Sequence, residues 1–174
     1  MNRSKKVVLV SHCILNANAK VTPLATYPGV LFDAVKDFIR QGTGIIQLPC
    51  PESTYLGMNR WGMSKDQYDH PSYRAHSRSL LIPCVDQIWA FIRAGYEITA
   101  VVGVDGSPSC GVYSTPYGLT GGVTAPGEKP FEKVRYVNER GVFMEELEKL
   151  LLERKIDLKF MAIDEKNPSK IKEK

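Results

Sequence analysis

The stretch Lys6-Val7-Val8-Leu9-Val10-Ser11-His12-Cys13 decides how this chain is read. Its apolar run is dominated by valine, whose branched side chain suits a pleated strand. Unbroken apolarity predicts a strand over residues 5–11 covered on both faces, as in a parallel sheet. Cys13 stands just past the end of that run. Two further runs repeat the arrangement. Ile45-Ile46-Gln47-Leu48 precedes Cys50, and Ile98-Thr99-Ala100-Val101-Val102-Gly103-Val104 precedes Cys110. If all three are parallel strands, three thiols share the carboxyl edge of one sheet, where open α/β sheets place their ligands.

The segments between the strands support this. Residues 30–41 predict a helix with Leu31, Ala34, Val35 and Phe38 on one face, ended by Gly42. Strand two is 44–48. Residues 78–94 predict a second helix with a stripe of Leu81, Val85, Ile88 and Ile92. Pro83 must kink it or open its regular part. Strand three is 97–104, a third helix 139–154 turns Phe143, Leu147, Leu150 and Leu151 inward, and strand four is 157–163. The alternation predicts a single α/β domain with a four-stranded parallel sheet, Rossmann-like or flavodoxin-like, and helices on both faces. The expected strand order is 2-1-3-4. The domain is expected over 1–164, followed by a frayed basic tail, 165–174. Residues 49–77 read as a long irregular segment, and 111–132 are assigned no regular structure. Gly118-Leu119-Thr120-Gly121-Gly122 lacks the Gly-Lys-Ser/Thr ending of a P-loop and reads as a turn.

Composition narrows the function classes. No apolar run reaches the roughly 20 residues of a membrane span, and the basic start is followed by too short a run for a signal-peptide core. A cytoplasmic protein is expected. The net charge of +4 is concentrated in Arg3, Lys5 and Lys6 and in the four lysines of the tail. A nucleic-acid groove needs clustered cations in the fold itself, so no nucleic-acid partner is expected. Four cysteines without C-x-x-C spacing argue against a zinc ribbon, and the expected compartment argues against a disulfide framework.

Two readings of Cys13, Cys50 and Cys110 stand on position alone. They are small apolar fillers at strand ends, or they are thiolate ligands for a soft metal centre. Three thiolates on a [4Fe-4S] cluster leave one iron without a protein sulfur. Cys84 lies beside the apolar stripe of the second helix and reads as core filler, the alternative being a fourth ligand. Glu52, two residues past Cys50, is either a solvated carboxylate or a general base beside the metal. Ser107-Pro108-Ser109-Cys110-Gly111 is a tight turn, bare or cradling a polar ligand.

Three blocks, Ser11-His12-Cys13-Ile14-Leu15, Cys50-Pro51-Glu52 and Ser107-Pro108-Ser109-Cys110-Gly111, resemble in sequence and in order the signature blocks of the thiouracil desulfidase family. The resemblance covers about residues 6–112. It implies a [4Fe-4S] cluster held by Cys13, Cys50 and Cys110, with the open iron taking sulfur from a thiocarbonyl substrate without net redox. It also implies catalytic roles for Glu52 and for Ser107 or Ser109. The chain departs from the usual members at Asn16-Ala17-Asn18-Ala19-Lys20-Val21 and at 55–63, as a divergent subgroup would. The implied partner is a small thiolated compound. Two alternatives are sulfur transfer to an acceptor and a non-catalytic electron carrier or redox sensor.

Other polar residues near the predicted sheet edge are candidates for substrate binding. His12 adjoins Cys13 and is otherwise a structural histidine. Asn16 and Lys20 follow in a polar loop, where they grip substrate or cap turns. Arg60 and Trp61 lie in the long segment, closing over a planar ligand or tucking the loop under itself. His70 and His76 read as surface positions.

Overall fold

A computed structural model describes residues 3–22, 24–119 and 134–173. Its main sheet contains β1 (Lys6–Val10), β2 (Gly44–Gln47), β3 (Glu97–Val104), β6 (Phe160–Ile163) and β7 (Ile171–Lys172). The order is β2-β1-β3-β6-β7. The first four strands are parallel and take the expected order. The fifth corrects the expectation of four. Ile171–Lys172 pairs antiparallel to β6 within the segment read as a frayed tail, so the sheet is mixed. A two-residue strand is too short for periodicity to reveal. Its pairing depends on the chain returning beside β6.

Successive residues of each strand face opposite sides. Leu9, Val101, Phe160 and Ala162 pack under α5 (Pro71–Arg93) and α6 (Val142–Glu153). Val8, Val10, Ala100, Val102, Met161 and Ile163 pack under α2 (Phe32–Arg40). Helices therefore cover both faces, as predicted. The inward stripes of α5 and α6 are the predicted ones, except that Ile92 is exposed.

The segment 49–77 is not irregular throughout. It contains α3 (Pro51–Leu56), α4 (Lys65–Tyr68) and the first turns of α5. Proline at the first position starts both α3 and α5, where its missing N–H costs nothing. Their caps are Cys50 and His70, not the residues that usually signal a helix start. Helix α5 runs through Pro83, which forfeits one backbone hydrogen bond. Burial of Leu81, Val85 and Ile88 on either side holds the helix together. Within 111–132, Thr115–Tyr117 forms β4, paired antiparallel with β5 (Arg135–Val137). Residues 120–132, including Gly121 and Gly122 of the expected turn, lie outside the described residues.

Helices α5 and α6 are also joined by charge. Arg74 reaches Asp69 at 2.6 Å and Glu145 and Glu146 at 2.7 Å each. Lys149 also meets Glu146, whose side chain is buried. Burial pushes the Glu146 carboxyl up, but hydrogen bonds from Lys149 and Arg74 outweigh it and hold it below its ordinary value of 4.5. The unfolded chain thus binds more protons than the folded one as pH falls through 4.5. This contribution is present above that pH and lost as the folded carboxyl protonates. Arg74→Ala is expected to cost about 2 kcal/mol at neutral pH, between the values for exposed and buried pairs. The variant should also lose less stability on acidification than the wild type. Urea unfolding at pH 7 and at pH 4 checks both.

Candidate active site at the carboxyl edge of the sheet

The parallel register aligns the strand ends that carry the cysteines. Val10 of β1 is paired with Gln47 of β2 and with Val102 of β3. Cys13 and Cys50 follow at the same offset from Val10 and Gln47, and Cys110 lies on the loop after β3. All three line one cavity of about 340 Å³, together with Glu52, Ser107 and Arg60. That size is at the small end of ligand pockets. Cys84 is elsewhere. It lies on α5, its Sγ donates to Leu80 O at 3.6 Å, and it packs against the core under that helix.

Each cysteine is seated by its local structure. Cys13 is in the short helix α1 (His12–Leu15). Its carbonyl accepts from Tyr27 Oη at 2.9 Å. Cys50 caps α3, its Sγ accepting from Ser53 N at 3.5 Å. The Cys110 loop is clamped between β3 and α6. Val142 N donates to Pro108 O at 3.0 Å, Phe143 N to Ser109 O at 3.0 Å and Gly141 N to Gly111 O at 2.9 Å. These amides open α6 and have no partner within the helix, so the loop carbonyls satisfy them. A Cβ on Gly141 would stand 2.4 Å from Ser109 C and 2.5 Å from its O, which leaves room only for glycine.

The thiols feel one another. Burial pushes the Cys13 thiol up to about 12, with Lys20 opposing and Glu165, Cys50 and Glu52 adding to the rise. Burial also raises Cys110, and Cys13, Cys50 and Glu52 raise it further. The hydroxyl of Ser11, buried without a well-formed hydrogen bond, offsets a small part of the Cys110 shift. Bare, the Cys13 and Cys110 thiols stay protonated; a bound cation would reverse that balance and take the thiolate. The donor set, three soft sulfurs in one cavity wall, fits an iron–sulfur cluster. Among the described residues no three His, Cys, Asp or Glu converge as a single-ion site.

Glu52 is held through one oxygen. Tyr68 Oη donates to Oε2 at 3.3 Å, and Arg60 Nε stands 3.6 Å from the same atom. The two serines separate. Ser107 lines the cavity and its Oγ accepts from Cys110 N at 3.0 Å and Ser109 N at 3.3 Å, which leaves its proton free to donate. Ser109 is fully buried, with its Oγ hydrogen-bonded to Tyr73 Oη at 2.8 Å. It supports the loop and is absent from the cavity wall.

The substrate-binding candidates also divide. His12 and Lys20 are in the wall. Desolvation lowers the His12 pKa, with a hydrogen bond from the ring to the Leu48 backbone opposing, and so favours the neutral ring. Lys20 is ion-paired with Glu165. Asn16 instead caps its own turn, accepting from Asn18 N at 3.2 Å. Trp61 is 62% exposed and is not in the wall, whereas Arg60 is buried beside Glu52, so the two do not form a joint lid. Sequence reasoning missed Tyr68 and Tyr27, and did not foresee the structural role of Asp105. Asp105 Oδ1 accepts from the amides of Val112, Tyr113 and Ser114 and shapes the loop beyond Cys110. It also missed that Glu165 and Lys166, assigned to the tail, stand in the cavity wall. His70 and His76 are half-buried. His70 caps α5 and His76 meets Thr54 Oγ1 at 2.9 Å.

The chain is 34% identical over 111 residues to the uncharacterized protein MJ0003 of Methanocaldococcus jannaschii. The match spans 64% of this chain and 70% of the archaeal one. The chain belongs to that protein's family. No protein-family profile matches the chain, and no solved structure matches it. Among the described residues of this family member, no helix is long and apolar enough to cross a membrane.

Proposed function

We propose that this protein is a divergent relative of the thiouracil desulfidases that hydrolyses the C–S bond of a small thiocarbonyl compound, such as a thionucleobase. The observation that carries the reading is the shared cavity: Cys13, Cys50, Cys110 and Glu52 line one wall system at the carboxyl edge of the sheet. A [4Fe-4S] cluster bound by the three thiolates supplies one Lewis-acidic iron free of protein sulfur, suited to polarising a thiocarbonyl. Glu52 takes a proton from water, and the oxygen attacks the carbon. Ser107 donates its hydroxyl proton as a hydrogen bond to substrate or water. The carbon gains oxygen and loses sulfur as sulfide, so water is the only co-reactant and no electrons are exchanged. Apolar contacts from Val21, Leu24 and Pro108 suit the body of a small ring. Cytoplasmic location and the absence of a nucleic-acid partner belong to the same proposal.

An electron carrier with a closed four-cysteine cluster is less well supported. Cys84 would have to leave its packing on α5 to become the fourth ligand.

Iron and acid-labile sulfide analysis of anaerobically purified protein tests the reading, followed by a screen of thiocarbonyl compounds. Single replacement of Cys13, Cys50 or Cys110 by Ala is expected to lower iron content and bleach the visible absorbance. Cys84→Ala should retain both. Full iron and full turnover in any of the first three variants would refute the three-thiolate site.

A further inference from the structure

Arg60 occupies an unusual place for a charged residue. Its side chain is 2% exposed. Nη1 donates to Gly57 O at 3.1 Å and Nη2 donates to Ala19 O. Those carbonyls belong to two separate segments. Gly57 ends α3, and Ala19 closes the 3-10 turn Ala17–Ala19. The third arm, Nε, is buried and makes no hydrogen bond among the described residues. Glu52 Oε2 stands 3.6 Å from it. Tyr68 holds the same oxygen, and no hydrogen bond to Oε1 is made among the described residues.

A buried guanidinium is costly to desolvate and is kept only with its donors matched. Here the planar fork is fixed at two points by backbone, so Nε is aimed before Glu52 arrives. Attraction then acts on one carboxylate oxygen and leaves the other for the cavity. A lysine ammonium is a single point on a flexible stem and cannot reproduce two anchors and a directed third arm.

We propose that Arg60 is the positioning residue for Glu52: clamped between Ala19 and Gly57, it holds Oε2 and presents Oε1 as the proton-accepting atom. The role of that proton rests on the desulfuration reading; the positioning itself does not.

Crystal structures and kinetics of Arg60→Gln and Arg60→Lys, alone and with Glu52→Gln, test this. In Arg60→Gln the Glu52 carboxylate is expected to shift by about 1 Å, a displacement that can cost about 10²-fold in rate. The loss should fall on kcat with KM changed less than about twofold, as for a group that acts only on the reacting step. Arg60→Lys should recover part of kcat. In the Glu52→Gln background the Arg60→Gln change should cost almost nothing more, because partners acting through one group are non-additive. An unmoved Glu52 in the variant crystal, or an equal loss in both backgrounds, overturns the proposal. If Arg60→Gln does not fold, the position of Glu52 in Arg60→Lys decides by the same criterion. A wild type without iron and without turnover overturns desulfuration alone, since the variant structures still report where Glu52 lies.

Discussion

Glu52→Gln is expected to reduce turnover of a thiocarbonyl substrate by about 10²–10⁴-fold, the usual contribution of a positioned general base. The amide keeps the size and reach of the carboxylate but cannot accept the proton from water. Tyr68 and Arg60 still meet an oxygen at the same place, so the cavity keeps its shape. Iron content and the visible spectrum should therefore stay near wild type. Losing the counter-charge of a buried arginine should lower stability by about 2 kcal/mol, less than for a fully buried pair because Gly57 and Ala19 still hold the guanidinium. Glu52→Asp should rescue poorly, since its carboxylate retreats one methylene from the cavity. The measurement is turnover in iron-replete protein. Activity within about twofold of wild type falls far short of that contribution and removes Glu52 from the proton chemistry.

Gly141→Ala is expected to be strongly damaging for so small a substitution. The added Cβ would meet Ser109 C at 2.4 Å, Ser109 O at 2.5 Å and Pro108 O at 2.7 Å. All three are backbone atoms, so no side-chain rotation relieves the contact. Overpacking usually costs about 1–3 kcal/mol, and a backbone clash should reach or exceed about 3. The relief available is to push the Ser107–Gly111 loop away from α6, which moves Cys110. Iron retention should fall with stability. Gly29→Ala is the control, because a Cβ there meets nothing within 4 Å, and a change within about 0.5 kcal/mol is expected. Urea midpoints and iron content of the two variants decide. Equal midpoints would mean that the α6–loop contact is not the tight one described.

Much of the architecture was legible because it rests on long periodic segments. Strand three is read at 97–104 and found there. The α6 stripe of Phe143, Leu147, Leu150 and Leu151 packs as expected because twelve residues of helix give the period room to show. The elements missed are short or unconventionally capped. Helix α3 has six residues and is started by a cysteine and a proline, and β7 has two residues. No period can be measured over such lengths.

The site divides in the same way. Three cysteines follow three apolar runs along the chain, with a glutamate two residues past the second. Parallel strands leave no other edge for those thiols, so their convergence was readable. What each side chain does there was decided by tertiary structure alone. Ser107 and Ser109 are equivalent in the sequence, yet one faces the cavity and the other is spent on Tyr73. Arg60 and Trp61 are neighbours, yet one is buried against Glu52 and the other lies in solvent. Glu165 looks like a tail residue, yet β7 and Lys20 bring it into the wall. The two differ in range. Strand formation follows from local hydrophobicity, whereas the direction of a loop side chain follows from hydrogen bonds to residues tens of positions away.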